Sequence, residues 1–368
     1  MSSLQDLDLG EFDSEEDAEF PPPERKVVTQ SYDLSMQVLL DQWNHATLVV
    51  PEIQREYVWD NGKASRLAES LLLNIPIPVL YFAETPDAKW EIVDGHQRVR
   101  SVIRFLENEF RLTGLQVLTE FKGLRFHQLP DRERRFLERR TMRAVVISPE
   151  SHPNMKFEVF SRLNTGAVAL NTQEIRNALY AGVLNKLLKE LVSDECFRSS
   201  IGTRTPRRRF VDEELILRFF ALRADLNSYR PPLSRFLNEF MNQNRNPQRA
   251  EVQRLKALFD TTFGRIANIL GERAFRLTDR GGNLTERNVN RALFEAQALA
   301  FSWVTASSPV PARSKVFREL AKVYANDDFD DSIRRATGDR ARTLTRLRGI
   351  VAALREAGFR LRPPALWQ

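Results

Sequence analysis

The stretch Glu91-Ile92-Val93-Asp94-Gly95-His96-Gln97-Arg98 decides how the first part of this chain folds. Its β-branched residues favour a strand, and the apolar residues that follow recur at helical spacing, namely Val99, Val102, Ile103 and Leu106. Gly95 is therefore expected at a strand-to-helix turn, where a glycine backbone can approach a ligand closely. A helix start presents unpaired N–H groups and the positive end of the helix dipole. The stretch thus predicts a turn that binds an anion such as phosphate.

Two side chains of this turn have the chemistry that a phosphate site needs. Arg98, one helical turn in, can add a planar set of N–H donors to the same anion. Asp94, beside the turn, can hold a metal ion or orient a water molecule. These residues predict a site that handles phosphate and not merely a strand-to-helix connection.

The composition is that of a globular protein. Of the 368 residues, 42% are hydrophobic and 28% are charged, and no apolar run approaches the roughly 20 residues that span a bilayer. The N-terminus lacks the basic and apolar segments of a signal peptide, and the single cysteine, Cys196, excludes an intramolecular disulfide framework. We therefore expect a cytoplasmic protein with no membrane partner.

The charge is distributed unevenly along the chain. Residues 1–24 contain nine acidic residues and no basic one, although the whole chain has a net charge of +6. Residues 1–30 are expected to form an acidic disordered arm, or alternatively an arm that competes with nucleic acid for a basic groove. The strongly basic remainder is expected to attract polyanions without specifying which one.

Strand and helix patterns alternate in the first part of the chain, and only helical patterns follow Pro149. The sequence therefore predicts an α+β protein with an α/β domain at residues 31–180 and an all-helical domain at residues 181–368. The predicted strands are Pro78–Phe82, Trp90–Val93 and Ala144–Ile147, with a further extended segment at Val49–Ile53.

Three further stretches combine polar side chains with turn signals. Gln54, Arg55 and Tyr57 belong to an extended segment, and their polar tips suit a base, a sugar or a phosphate. Arg162-Leu163-Asn164-Thr165-Gly166 is either an ordinary helix end or a loop that donates to phosphate. The third stretch begins a helix at Asn171 or Thr172. Its Glu174 and Arg176 either form a surface pair or face the site across the domain border.

Taken in order, these motifs closely resemble the domain of unknown function 262 family, the N-terminal domain of GmrSD-type modification-dependent restriction enzymes. The matching stretches are Val50-Pro51 with Gln54-Arg55 and Tyr57-Val58-Trp59, then Asp94 to Arg98, then Arg162 to Gly166, and finally Leu170-Asn171 with Glu174 to Asn177. The resemblance covers roughly residues 31–180. It implies a ParB/sulfiredoxin-like fold that binds and hydrolyses a nucleoside triphosphate, for which Mg²⁺ is the expected cofactor.

The resemblance also implies roles for individual residues. It gives catalytic roles to Asp94, His96, Gln97 and Arg98, with Asp94 also as the expected metal ligand. The residues expected to bind the nucleotide are Gln54, Arg55, Tyr57, Gly95, Arg162, Asn164, Thr165, Gly166, Glu174, Arg176 and Asn177. His96 replaces the commoner glutamine of the family and adds a group that titrates near neutral pH.

Relatives act against foreign DNA, so DNA is an expected partner of this chain. The residues expected to contact DNA are Arg204, Arg207, Arg208 and Arg209, which have no acidic neighbour before Asp212. The arginine-rich run at 132–143 is interrupted by acidic residues and is expected to be largely a salt-bridged helix face. The acidic groups at 212–214 and 327–331 are expected to be solvated helix starts.

Many relatives carry a C-terminal His-Me finger nuclease, which needs a histidine to activate water. The last of the four histidines of this chain is His152, so the predicted helical domain has none. We therefore expect the nuclease, or another defence-system subunit, to be a separate partner, and a homodimer is also compatible with the helical domain. The alternative is a non-catalytic module that senses a nucleotide or modified DNA and recruits a partner.

Overall fold

The computed structural model describes residues 25–50, 57–85, 87–163 and 170–364. These residues divide into two compact units, one within Phe20–Leu170 and the other within Asn171–Gln368. The first unit is α/β and the second is all-helical, so the predicted α+β class is confirmed. Within the described ranges, no helix combines the length and the apolar character needed to cross a membrane.

The first unit is built on a five-stranded mixed sheet in the order β1-β5-β3-β4-β2. Its strands are β1 (Thr29–Ser35), β2 (Leu48–Val49), β3 (Leu80–Glu84), β4 (Trp90–Asp94) and β5 (Thr141–Ile147). Its helices are α1 (Met36–Asn44), α2 (Asn61–Leu72), α3 (His96–Leu106), α4 (Asp131–Arg139) and α5 (Pro153–Leu163). β4 pairs in parallel with β2 at its N-terminal end, through Trp90 and Glu91, and antiparallel with β3 as far as Asp94, so β3 holds its C-terminal end.

The core of the first unit lies between the sheet and the helices that cover it. Phe82 and Ile92 from the sheet are fully buried. Helix α3 buries the apolar residues whose spacing predicted it, together with Phe105, and it packs against α1 and α2. The amphipathic pattern after Gly95 therefore fixes which face of α3 meets the core.

The second unit is a helical assembly around a separate core. Its helices are α6 (Thr172–Leu179), α7 (Val183–Leu191), α8 (Glu195–Ile201), α9 (Val211–Asp225), α10 (Leu233–Gln243), α11 (Arg249–Ile269), α12 (Arg291–Ser302), α13 (Arg313–Tyr324), α14 (Asp327–Arg334) and α15 (Arg340–Ala357). Phenylalanines from several helices meet in the core, and the ring centroids of Phe197 on α8 and Phe263 on α11 lie 5.2 Å apart. Buried aromatic area of this kind stabilises a core strongly.

Some elements escaped the sequence-based prediction for identifiable reasons. Among the described strands, β1 is an edge strand that pairs with β5 alone, and its residues are mostly polar and exposed, so it lacks a clear apolar alternation. Helices α8 and α14 contain only 7 and 8 residues, too few for a clear helical period. Of the extended segment predicted at Val49–Ile53, β2 includes Val49, and residues 51–53 lie outside the described residues.

Candidate functional site

The predicted strand-to-helix turn is present between β4 and α3. Gly95 adopts φ 98° and ψ 10°, in the left-handed region that strains any other residue type. A Cβ atom at this position would lie 2.3 Å from Cδ2 of Leu80, which is fully buried in the core. Backbone conformation and space therefore both require glycine here. The first turn of α3 contains no acidic residue that would oppose an anion.

The Arg98 side chain ties this turn to the neighbouring strand. Its Nη2 donates to Oδ2 of Asp94 at 2.6 Å, and its Nη1 donates to the carbonyl oxygens of Pro78 and Val79, just before β3. The Arg98 side chain is only 13% exposed, whereas that of Asp94 is 46% exposed. Burial lowers the pKa of Arg98, against the opposing effect of the Asp94 carboxylate. Arg98 thus positions Asp94 at the surface of the turn.

The Gln97 side chain, on α3, binds the backbone that follows the Gln54-Arg55 motif. Its Oε1 accepts hydrogen bonds from the backbone N–H groups of Val58 at 2.9 Å and Trp59 at 3.2 Å. The hydroxyl of Tyr57 lies 2.9 Å from Oγ of Ser101, one helical turn further along α3. Residues 57–59 of this motif and the turn at Gly95 are therefore neighbours in the first unit. Gln54 and Arg55 themselves lie outside the described residues.

His96 is half-buried at the first position of α3. Burial lowers the pKa of its imidazole, and the positive charge of Arg100 lowers it further. The ring is therefore neutral at neutral pH, with one nitrogen able to donate and the other able to accept a hydrogen bond. In the described part of the chain, neither nitrogen has a hydrogen-bond partner.

The described residues contain no group of three or more His, Cys, Asp or Glu side chains placed to hold a metal ion. Asp94 offers one carboxylate oxygen, because Arg98 binds the other. Mg²⁺ is commonly bound by one or two carboxylates, with phosphate oxygens and water as its other ligands. The arrangement therefore fits a cation that arrives with a phosphate ligand and does not fit a resident, protein-enclosed ion.

The motif at 162–166 is only partly described. Arg162 lies in the last turn of α5 with its side chain 78% exposed, and its Nε donates to Oε1 of Glu158 at 2.6 Å. Asn164, Thr165 and Gly166 lie outside the described residues. Their assignment to the nucleotide therefore stays a prediction.

The motif at 171–177 lies in the second unit, at the start of α6. Asn171 and Glu174 form a reciprocal capping box, in which the Asn171 side chain accepts from Glu174 N and the Glu174 side chain accepts from Asn171 N. Glu174 also accepts from Nη2 of Arg209 at 2.8 Å. Arg176 and Asn177 are buried, with exposed fractions of 2% and 0%. The expected alternative of a surface pair is therefore wrong, because these side chains are committed to contacts inside the helical unit.

Arg176 begins a chain of alternating charges through the second unit, which we call the buried charge chain. Its members, in order, are Arg176, Glu214, Arg218, Glu295 and Arg346, joined by contacts of 3.2, 2.8, 2.8 and 2.6 Å. Although burial opposes ionisation, the cations of Arg218 and Arg176 hold the pKa of Glu214 at about 2. Sequence reasoning missed this chain. A local signal existed, since Glu214 and Arg218 stand four residues apart on α9 and the three residues between them are apolar.

The four arginines expected to contact DNA differ in their surroundings. Arg207 pairs with Asp212 at 3.6 Å, and Arg209 pairs with Glu174 at 2.8 Å. Arg204 and Arg208 are exposed, and within the described ranges neither forms an ion pair. Two of the four guanidinium groups are thus occupied by carboxylates of the same unit, which leaves Arg204 and Arg208 as the more available contacts.

The acidic residues at the start of α9 are buried, so the prediction that they form a solvated helix start is wrong. Asp212, Glu213 and Glu214 are 2%, 4% and 8% exposed, because polar partners elsewhere in the unit surround them. Burial raises the pKa of Glu213 to about 7, although a hydrogen bond from Nδ2 of Asn177 opposes this shift. By contrast, Asp327 and Asp328 begin α14 and are exposed, as expected.

A pH dependence of stability follows from Glu213. Its carboxyl keeps a proton in the folded state up to about pH 7, whereas the unfolded chain releases it near 4.5. The stabilisation is therefore complete below pH 4.5 and is lost as the pH rises through 7, by up to about 3 kcal/mol. Glu213→Gln, which stays neutral, is expected to gain stability relative to wild type between pH 5 and pH 8 in urea unfolding. Glu356→Gln, at an exposed position, serves as the control. If the unfolding free energies of Glu213→Gln and wild type differed by the same amount at pH 5 and at pH 8, the prediction would be contradicted.

Residues 37–181 match the family model described as GmrSD restriction endonuclease, N-terminal domain. The match confirms the predicted resemblance to that domain over this region of the chain. The matched region includes both the turn at Gly95 and helix α6 of the second unit. It indicates a protein of a restriction-like defence system. A search of curated proteins found no match to the chain.

Proposed function

We propose that the protein binds a nucleoside triphosphate at the turn between β4 and α3 and hydrolyses it, within a restriction-like system that acts on DNA. The observation that carries this proposal is the geometry of the turn. Gly95 allows the backbone to approach a phosphate, and the adjacent Asp94 carboxylate is half-exposed and fixed by Arg98. The family match of residues 37–181 supports the same region as the functional one.

In this proposal each residue of the turn has a definite task. The N–H groups at the start of α3 bind phosphate oxygens, and the neutral imidazole of His96 hydrogen-bonds to the nucleotide or to water. The Asp94 oxygen that Arg98 leaves open orients the attacking water, whose oxygen bonds to the terminal phosphorus as the bond to the leaving diphosphate breaks. Alternatively, Mg²⁺ bound to the triphosphate would take this same Asp94 oxygen as its protein ligand and would neutralise phosphate charge, in which case Asp94 would hold the metal and not the water.

Arg98 is better described as a positioning residue than as a phosphate ligand. Its donors already serve Asp94 and the carbonyl groups before β3. A variant that removes Arg98 would therefore disturb the turn as well as any chemistry, so a fall in activity in it would not identify a catalytic role. Asp94 is the more informative position, because its side chain is half-exposed and its replacement by asparagine retains an acceptor for Arg98.

The remaining expected contacts are carried by the sequence resemblance. Gln54, Arg55, Asn164, Thr165 and Gly166 are proposed as nucleotide contacts on that ground, as is Arg162 at the end of α5. For Glu174, Arg176 and Asn177 we propose a mainly structural role in holding α6, because their hydrogen bonds are made within the helical unit. A separate nuclease and a homodimer stay predictions.

Phosphate release tests the proposal directly. ATP, GTP, CTP and UTP are each incubated with the protein and Mg²⁺, with and without plain or modified DNA. Asp94→Asn is expected to reduce turnover by about 100-fold or more. Asp131→Asn is a matched control, since Asp131 also pairs with an arginine in the same unit, Arg134, but lies on α4. Wild-type turnover by a folded Asp94→Asn protein would contradict hydrolysis at this turn.

One observation favours the alternative of a non-catalytic sensing module. Among the described residues, the turn offers one carboxylate, and the guanidinium beside it is already occupied, so fewer of these residues are available for transition-state charge than in many nucleotide hydrolases. In that case, nucleotide binding would be measurable by calorimetry and would weaken in Asp94→Asn, while phosphate release would stay at the level of a protein-free sample.

A further inference from the structure

One face of α4 carries arginines that have no carboxylate partner among the residues that the structure describes. Arg132, Arg135 and Arg139 follow one another at spacings of three and four residues, which places them on the same side of the helix. Among the described residues, none of these three takes part in an ion pair. The neighbouring Arg134 does pair, with Asp131. The expectation of a largely salt-bridged face therefore holds for Arg134 and not for this face.

The same face borders an open groove with an aromatic side chain. The groove has a volume of about 420 Å³ and is lined by Arg132, Arg135, Phe136, Arg139, Arg140 and Thr141. The Phe136 side chain is 45% exposed, and the guanidinium carbon of Arg140 lies 5.8 Å from the centroid of its ring. Phe136 is thus an exposed ring among cations, whereas Leu137, the next residue, is buried in the core.

We propose that this groove binds single-stranded nucleic acid. Regularly spaced guanidinium groups suit the regularly spaced phosphates of a nucleic-acid backbone. An exposed ring beside them offers a surface on which an unpaired base can stack, and such stacking tolerates any base. A duplex keeps its bases stacked internally, so it would use the arginines but would bring no base onto the Phe136 ring. A single strand uses both features of the groove.

The proposal deepens the DNA part of the proposed function and rests on it only for the biological setting. The groove lies on α4 and β5, and no residue of the turn at Gly95 lines it. Binding can therefore be measured without nucleotide. A failure of strand binding would leave the phosphate-release test unaffected, and a failure of hydrolysis would leave strand binding unaffected.

The test is fluorescence anisotropy with a labelled oligothymidylate of about 16 nucleotides and a duplex of equal length. The double variant Arg135→Gln/Arg139→Gln is expected to bind the single strand about tenfold more weakly, and the slope of log affinity against log salt is expected to fall by about 0.7 for each arginine–phosphate pair removed. The double variant Arg254→Gln/Lys256→Gln removes the same charge from exposed, paired positions of α11 and is expected to bind within about twofold of wild type.

Substitutions of Phe136 distinguish binding of a single strand from binding of a duplex. Phe136→Ala and Phe136→Leu are both expected to weaken single-strand binding about fivefold or more while changing duplex binding little, because leucine retains apolar surface but no ring. Equal affinity of the Arg135/Arg139 variant and the charge-matched control would overturn the groove as the binding surface. Tighter binding of the duplex, with neither Phe136 variant having an effect, would overturn the single-strand assignment.

Discussion

A Glu295→Gln variant is expected to lose about 3–5 kcal/mol of unfolding free energy in the helical unit. Glu295 accepts from Arg218 at 2.8 Å and from Arg346 at 2.6 Å, and the Arg346 side chain is only 1% exposed. Glutamine is similar in shape but neutral, so it leaves the three arginines of the buried charge chain with Glu214 as the one carboxylate of that chain. Urea unfolding followed by circular dichroism, together with hydrogen exchange in α12 and α15, measures the effect.

Glu319→Gln is the matched control for this prediction. Glu319 also contacts two cations, Arg318 and Lys322, but their side chains are 55% and 58% exposed. Water solvates them when the carboxylate is removed, so the expected decrease in unfolding free energy is below about 1 kcal/mol. Equal decreases in the two variants would show that burial of the cations does not determine the effect.

Gly95→Ala is expected to destabilise the first unit by about 3 kcal/mol, the combined effect of left-handed backbone strain and of overpacking against the core. The added Cβ would lie 2.3 Å from Cδ2 of Leu80, so that either the side chain or the turn must move. Because the turn carries Asp94, we also expect nucleotide binding to fall. Chemical unfolding and nucleotide titration of the same sample measure both effects.

Gly114→Ala separates backbone strain from steric contact. Gly114 also has a positive φ, of 64°, but a Cβ there would meet no atom within 4 Å. Only the strain remains, so the expected destabilisation is about 1–2 kcal/mol. If Gly95→Ala were no more destabilising than Gly114→Ala, the close packing of Leu80 against the turn would not limit substitution.

The local features of the candidate site could be predicted from the sequence. The sequence predicts the turn at Gly95 because β-branched residues, a glycine and apolar residues at helical spacing follow one another directly along the chain. The structure contains this turn. The helix start at Asn171 could be predicted for the same reason, because a capping side chain and Glu174 stand three residues apart.

The sequence could not predict side-chain contacts between residues that lie far apart in the chain. Glu174 meets Arg209, 35 residues away, and Arg218 meets Glu295, 77 residues away. No periodicity or capping rule connects such positions, since helix packing brings them together. For the same reason, Arg98 looked like a free phosphate ligand until the structure placed the carbonyl groups of Pro78 and Val79 against it.

The buried charge chain also bears on the order in which the helical unit can be completed during synthesis. Arg176 emerges from the ribosome first, and Arg346, on α15, emerges 170 residues later. Until then Glu295 lacks its second cation, and earlier helices that had already packed together would enclose an incomplete set of charges, which is costly. The helical unit is therefore expected to close in one late, cooperative step after α15 has been made, and not helix by helix from its N-terminal end.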